Sequence, residues 1–466
     1  MATLRVFKHY VKISFLLLGA IDFLVSYLSV YAGAYLRSSG FIGEAFSLDS
    51  SLVVQALVFA LVLIVSLMAL GLYTARVREG VLGYLLRVSA SYLFSIIALA
   101  LLFYIFPNLF LGRATLILSI VISFSAISLI RLVVWFADPE IFKRRILVLG
   151  AGQNAKPITE LKRKSDQISF SILGFIHIRG EEDIVDKSKI IMLDSSLKDY
   201  AVNNDVDEIV LAVEDRRKGF PMHDLIDCKM SGIDVLDMTS FFERETGKIR
   251  LDQLNPSWFV FSDGFQQSGL RDYTKRLFDI FVSVILLIVS WPIMLLAVLA
   301  ISVESRFKEP ILYRQIRIGE NGKPFQVLKF RSMSVDAERD GKARWAEKND
   351  ARITVVGGVI RKTRIDELPQ ILNVLRGDMS FVGPRPERPE FVVILSEKIP
   401  YYEERHRVKP GVTGWAQMCY PYGSSEKDAK EKLQYDLYYV KNHSLFLDFL
   451  IIVQTAEIVL FGRGSR

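Results

Sequence analysis

The chain has 466 residues, enough for more than one domain, and 51% of them are hydrophobic. A mean hydropathy of +0.29 excludes a wholly water-soluble globule, and two cysteines far apart, Cys228 and Cys419, exclude a disulfide framework and fit a reducing compartment. The net charge of +7 lies mostly after residue 270 and suits anionic substrates or an anionic lipid surface rather than nucleic acid, and the five histidines form no cluster of zinc-binding type.

Residues 1–140 read as four membrane spans, Ile13–Leu36, Leu52–Tyr73, Tyr84–Phe106 and Ala114–Phe136, each close to the roughly 20 residues that a bilayer needs. Arg5, Lys8 and Lys12 precede the first, which is followed by another span rather than a cleavage site, so it reads as an anchor. Arg76, Arg78 and Arg87 mark the loop between spans two and three, and Lys143, Arg144 and Arg145 follow span four. The positive-inside rule then places both ends and that loop in the cytoplasm. Asp22 and Arg131 fall inside spans. The first can pair within a bundle and the second can snorkel, so neither is assigned a role.

Residues 141–265 alternate short apolar runs with polar segments. Strands are expected at Arg145–Leu149, Ile172–Ile176, Ile190–Leu193 and Glu208–Val213, which predicts a small parallel α/β domain. Gly150-x-Gly152-x-x-Ala155 after the first strand resembles a dinucleotide loop. No Tyr-x-x-x-Lys pair follows, which excludes a short-chain dehydrogenase. The domain reads as structural or regulatory, with ligand binding at Gly150, Gly152 and Ala155 left open. Residues 241–272 read as a connector.

Leu277–Val303 is apolar and long enough to span, yet basic residues flank both sides and Pro292 sits in its middle. A proline removes one helical hydrogen bond and clashes with the preceding turn. The expectation is therefore a re-entrant helix, 275–304, that breaks at Ser290–Pro292 and returns, with the Ser290 hydroxyl on freed carbonyls.

In the last third, Phe325–Arg331 reads as a strand that puts Lys329 and Arg331 on one face. Leu368, Ile371, Leu372 and Leu375 have the spacing of a helix face that stops at Gly377, with Asp366 as its expected N-cap and Glu367 in its first turn. Arg361, Lys362 and Arg364 crowd the same end, which predicts an anion site. Pro384 and Pro386 restrict the backbone around Arg385. Val408–Gln417 is a Gly/Pro turn segment carrying Trp415, read as exposed, and Tyr435–Tyr439 and Leu445–Phe461 read as a closing helix pair.

Lys329-Phe-Arg-Ser-Met333, Asp366-Glu-Leu-Pro-Gln370, Gly377-Asp-Met-Ser-Phe-Val-Gly-Pro-Arg-Pro386 and Lys409-Pro-Gly-Val-Thr-Gly-Trp-Ala-Gln417 together resemble the bacterial sugar transferases, the monotopic polyprenyl-phosphate phosphoglycosyl transferases. The likeness covers residues 271–466, and the preceding spans and α/β domain are similar to large members that start exopolysaccharide or O-antigen assembly. It implies transfer of a sugar 1-phosphate from a UDP-sugar to undecaprenyl phosphate, with UMP released. It also implies Asp366 as nucleophile, Glu367 as Mg²⁺ ligand, and Lys329, Arg331, Arg361 and Arg385 as phosphate contacts. One departure is Ser290-Trp-Pro292, where many members have Ser and Pro adjacent. The fold class expected is membrane α plus α/β: a four-helix transmembrane bundle (1–140), a Rossmann-like domain (141–265) and a mixed α/β catalytic domain (266–466). Location is the bacterial inner membrane, with the soluble parts in the cytoplasm, and a homodimer is compatible.

Two other readings stay open. A simple glycosyltransferase releasing UDP would use an Asp-x-Asp motif, and Asp205-Val-Asp207 has that spacing although it precedes a strand. A ligand-sensing membrane scaffold would leave the last third without chemistry. The sugar transferred is not specified by any motif.

Overall fold

The computed structural model describes residues 3–6, 9–38, 50–73, 81–136, 143–161, 170–178, 180–193, 196–214, 220–254, 256–262, 264–265, 269–335, 352–420, 423 and 425–461. The chain divides into two compact units. One is Tyr10–Thr246 with Met1–Arg5, and the other is Gly247–Arg466 with Val6–His9.

In the first unit, helices Ile13–Leu36, Ser50–Ala69, Val81–Ile105 and Arg113–Phe136 fall close to the expected spans. The first packs on the second and fourth, and the third packs on the second and fourth. The first and fourth meet closely at Gly33, where a Cβ would lie 2.8 Å from Ser119 Oγ, the small-residue contact that brings apolar helices together. Arg131 does not snorkel. It is 1% exposed, pairs with Asp22 and donates to the Tyr84 hydroxyl (2.9 Å), while the Tyr73 hydroxyl donates to Asp22 Oδ2 (2.7 Å). The two charges therefore tie the first and fourth helices together. An ionic group away from water persists only when partnered in this way.

The α/β part of this unit is a five-stranded parallel sheet. Its spatial order is Ile190–Ile191, Phe170–Ile176, Arg144–Leu149, Glu208–Leu211, Asp234–Asp237. The last strand was not expected; aspartates at both its ends mask a short apolar centre. Strand order reverses beside Arg144–Leu149, where sheets of this kind bind ligands. Gly150 follows with φ +110°, and a Cβ there would lie 2.9 Å from the Ala212 carbonyl. The loop makes a local contact with Glu214. The Gln153 N–H donates to Glu214 Oε1 (2.6 Å), the Glu214 carboxylate crowds Gly152, and the helix beyond the buried Ala155 is only Lys156–Thr159. Asp207 accepts the Arg145 N–H (2.7 Å).

The second unit is built on helix Gly269–Glu304, antiparallel strands Leu312–Ile318 and Pro324–Phe330, and a parallel pair, Ser380–Val382 with Gly411–Thr413. Helices Glu426–Asn442 and Leu445–Phe461 close it, the second as expected and the first longer than the expected Tyr435–Tyr439. Helix Gly269–Glu304 joins the four earlier helices as a fifth that is long and apolar enough to cross a membrane. Helical backbone continues through Ser290–Pro292 instead of breaking there. The Ser290 hydroxyl turns to Met294 Sδ (3.7 Å), not to a freed carbonyl. A proline deletes a single rung of the ladder, and packing on both sides of it holds the rest: Val282 and Leu286 join one core cluster, and Met294, Ala297, Val298 and Ile301 join another.

Asp279, hidden inside this apolar run and 3% exposed, accepts from Ser380 Oγ (3.0 Å) and the Phe381 N–H (2.9 Å). Lys275 pairs with Asp448 (2.6 Å). At the far end Glu304 Oε1 accepts the Val356 N–H (3.0 Å). Both ends of the helix are thus fastened to the same unit.

Candidate active site

The expected helix from Asp366 to Gly377 is shorter than the apolar spacing implies. Helix Val355–Lys362 ends first, Arg364 turns the chain with φ +57°, and Ile365–Glu367 form a single tight turn. The helix proper is Gln370–Arg376, capped at its start by Pro369 and stopped at Gly377, φ +94°. Asp366 therefore caps nothing, and no helix N-terminus supplies the anion site. Its positive charge comes from side chains.

Those side chains converge on Glu367. Its Oε1 accepts from Arg385 (2.8 Å) and Lys329 Nζ (3.2 Å), and its Oε2 accepts from Arg364 (3.4 Å). Burial would raise this carboxyl, but the charges of Arg385, Lys329 and Arg364 outweigh burial and hold it well below the usual carboxylate range. Asp366 is its opposite. It is 8% exposed, and burial lifts its carboxyl to about 6 against the pull of Lys329, with the Glu367 charge adding to the rise and Arg361 and Arg385 opposing it. Two adjacent carboxyls with such separated affinities for a proton mark different roles. Both line a cleft of about 540 Å³ with Lys329, Arg331, Arg361, Arg364 and Arg385.

Lys329, Arg361, Asp366, Glu367 and Arg385 are therefore brought together. Arg331 reaches the cleft, but its guanidinium pairs with Glu309. Ser290 and Pro292 lie in the long helix outside the cleft lining, and Gly150, Gly152 and Ala155 belong to the other unit. Trp415 is not an exposed aromatic: its Nε1 donates to the Gly247 carbonyl (2.7 Å) and its ring stacks on Tyr438.

Arg385 owes its position to more than two prolines. Four consecutive carbonyls are each held: Pro384 by the Gly411 N–H (2.9 Å), Arg385 by Arg405 (2.9 Å), Pro386 by Arg317 (3.2 Å) and Glu387 by the Ile318 N–H (2.9 Å). Arg405 is itself buried, paired with Asp436 (2.8 Å) and bonded to the Tyr402 hydroxyl (2.7 Å). Sequence reasoning missed Arg405 and Arg317 because their targets are backbone carbonyls about 20 and 70 residues away. Asp279 had a signal, a lone carboxylate in an apolar run. Gly383 sits at the base of this loop, where a Cβ would fall against the Lys409 carbonyl and the Gly411 N–H. Gly383→Ala is expected to cost about 1–3 kcal/mol, read as a lowered melting temperature in detergent.

The family model of the bacterial sugar transferases matches residues 270–462, which contain the whole cleft. A UDP-glucose:undecaprenyl-phosphate glucose-1-phosphate transferase of Klebsiella pneumoniae is 35% identical over 318 residues, 67% of this chain and 67% of the relative. This chain belongs to the bacterial sugar transferase family. A UDP-N-acetylgalactosamine-undecaprenyl-phosphate N-acetylgalactosaminephosphotransferase of Aeromonas hydrophila is 40% identical to this sugar transferase over 239 residues, which is 51% of the chain but only 55% of the relative. An uncharacterized sugar transferase of Haemophilus influenzae is 30% identical over 404 residues, 80% of the chain and 81% of the relative. The longer matches extend the likeness of this sugar transferase beyond its cleft-bearing unit.

Proposed function

We propose that the chain transfers a sugar 1-phosphate from a UDP-sugar to undecaprenyl phosphate, as the first membrane step of exopolysaccharide or O-antigen assembly. The observation that carries this reading is the pair of adjacent carboxyls in a cationic cleft, Asp366 buried and Glu367 held by Arg385, Lys329 and Arg364. An Asp366 oxygen attacks the phosphorus that bears the sugar. The bond from that phosphorus to the bridging oxygen breaks, and UMP leaves with the electron pair. An oxygen of undecaprenyl phosphate then attacks the same phosphorus, the bond to Asp366 breaks, and the carboxylate is restored. Lys329, Arg361 and Arg385 neutralise the phosphates, with Arg385 presented by the held loop. The names of the Aeromonas and Klebsiella relatives support the donor and acceptor classes.

Mg²⁺ is held in many phosphate sites by one or two carboxylates together with substrate phosphate, and Glu367 fits that pattern, with Asp366 kept as nucleophile. Among the described residues no larger cluster of metal ligands exists, so the substrate would complete the shell. Glu367 Oε2, whose cation stands at 3.4 Å, is the more open oxygen. When bound, the ion supplies charge neutralisation at the diphosphate.

The same reading places the cleft on the cytoplasmic side of the inner membrane. It also makes 275–304 re-entrant in the sense that both its flanks stay on that side, although its helical backbone does not break at Ser290–Pro292. A spanning helix carries its ends to opposite sides, whereas Asp279 and Glu304 both bond the unit that holds the cleft.

The test is the nucleotide released when purified protein receives Mg²⁺, undecaprenyl phosphate and a panel of UDP-sugars. UMP is expected, and UDP would sink the mechanism. The donor step also has an expected pH profile. Asp366 reacts only when ionised, so exchange of labelled UMP into UDP-sugar should fall about ten-fold per pH unit below about 6 and level off above it. Glu367 stays charged throughout that window.

A further inference from the structure

Asn373 lies in the short helix Gln370–Arg376, six residues beyond Glu367, and is 0% exposed. Its Oδ1 accepts the Leu328 N–H (3.0 Å), and its Nδ2 donates to the Gln326 carbonyl (2.7 Å) and to Asp378 Oδ2 (3.3 Å). Strand Pro324–Phe330 is paired along one edge with Leu312–Ile318, and among the described residues no strand lies along the other. The Asn373 carboxamide takes the place of a neighbouring peptide on that open edge, meeting an N–H and a carbonyl two residues apart. A buried amide is costly unless both its ends are bonded, and an aliphatic side chain of the same size would fill the space without that demand. What the amide adds is a fixed register between helix and strand.

The residue after Leu328 is Lys329, whose Nζ donates to Glu367 Oε1 (3.2 Å). Asn373 thus joins the backbone that carries Lys329 to the helix that follows the Asp366–Glu367 turn. That helix is anchored from its other end, where Arg276 of the long helix donates to the Val374 and Leu375 carbonyls. With the helix held, the strand is the element that shifts when the amide is removed, and Lys329 shifts with it. We propose that Asn373 is a positioning residue that sets the place of Lys329 against Glu367, and so against the phosphates of the bound nucleotide sugar. The inference rests on the donor reading above and deepens it. Asn373 is not part of the cleft lining, so it acts through the strand and not by touching the nucleotide.

The test is a double-mutant cycle on the full chain in phosphatidylcholine nanodiscs with Mg²⁺: the unmodified chain, Asn373→Leu, Lys329→Met and the two together. Affinity for UDP is read by titration calorimetry, and melting temperature without nucleotide serves as the control for folding. Asn373→Leu is expected to weaken UDP binding by about ten-fold, the scale of one hydrogen bond to a charged group. In the Lys329→Met chain, where the ammonium is already gone, the same change should weaken it by less than about two-fold. Melting temperature should fall alike in both backgrounds, because the Leu328 N–H and the Gln326 carbonyl lose their partner either way. Equal loss of affinity in the two backgrounds, or no loss in the first, overturns the proposal and leaves Asn373 a support of the fold alone. If Asn373→Leu does not fold, Asn373→Asp, which keeps the acceptor for Leu328 and loses the donor to Gln326, is carried through the same cycle. Absence of UDP binding by the unmodified chain overturns the donor reading beneath it, so the two failures are distinct.

Discussion

Asp366→Asn is expected to abolish transfer, by about a thousand-fold or more, and at the same time to make the protein more resistant to heat. The first effect follows from replacing an oxyanion nucleophile with an amide of the same shape. The second follows from linkage. The Asp366 carboxyl is lifted to about 6 in the folded chain, mainly by burial, from an ordinary value of 3.8. Between those values the folded chain holds a proton that the unfolded chain releases, so stability falls as pH rises through that window. Above about pH 6 the ionised carboxylate costs up to about 3 kcal/mol, the equivalent of roughly two pH units. An amide carries no such cost. Thermal melting of both proteins in detergent at pH 7.5 and at pH 4.5 checks it: the variant should melt a few degrees higher at pH 7.5, and the gap should close toward pH 4.5. An inactive variant that melts lower at pH 7.5 would mean that Asp366 is a structural support.

Arg405→Met should produce the largest loss of stability of any change outside the hydrophobic core. It leaves Asp436 buried without its cation, and breaking one half of a buried pair costs about 3–5 kcal/mol. Asp436 is already poised for this, because burial raises its carboxyl to about 6 even with Arg405 beside it. The double variant Arg405→Met, Asp436→Leu removes both charges and should recover most of the stability. It should not recover activity, because the Arg385 carbonyl still lacks its donor and Arg385 loses its fixed aim at the cleft. Melting temperature and UMP exchange measured on the single and double variants separate the two effects. Full recovery of both would show that Arg405 does nothing for Arg385.

What was legible in the sequence follows the range of the interactions concerned. The four apolar helices of the first unit were readable because bilayer thickness and hydrocarbon content set their length locally. Gly377 was readable as a stop because a positive φ favours glycine. The gathering of Lys329 and Arg385 around the Asp366–Glu367 pair was readable through the motifs that carry the family resemblance, and that of Arg361 through the basic run it shares with Lys362 and Arg364. Local periodicity misled at Asp366. The spacing of Leu368, Ile371, Leu372 and Leu375 describes a packed face, and a turn ahead of a short helix presents the same face without being helical. Arg331 falls one residue past the strand that was expected to carry it, and its partner Glu309 lies outside every motif. The carbonyl struts, the Asp436 pair and the stacking of Trp415 on Tyr438 are contacts between distant stretches that no spacing records.

The fastening of Asp279 and Lys275 bears on how the chain is made. Their partners are synthesised much later: Ser380 lies 101 residues and Asp448 lies 173 residues downstream. At the pace of translation the long helix leaves the ribosome many seconds before either partner exists. During that interval it is an apolar segment carrying an unmatched carboxylate and an unmatched ammonium, poorly suited to settle in hydrocarbon. Its final packing into its unit is therefore a late event of biogenesis, completed when the closing helices arrive, and chains truncated before residue 380 should be retained by insertion factors or degraded.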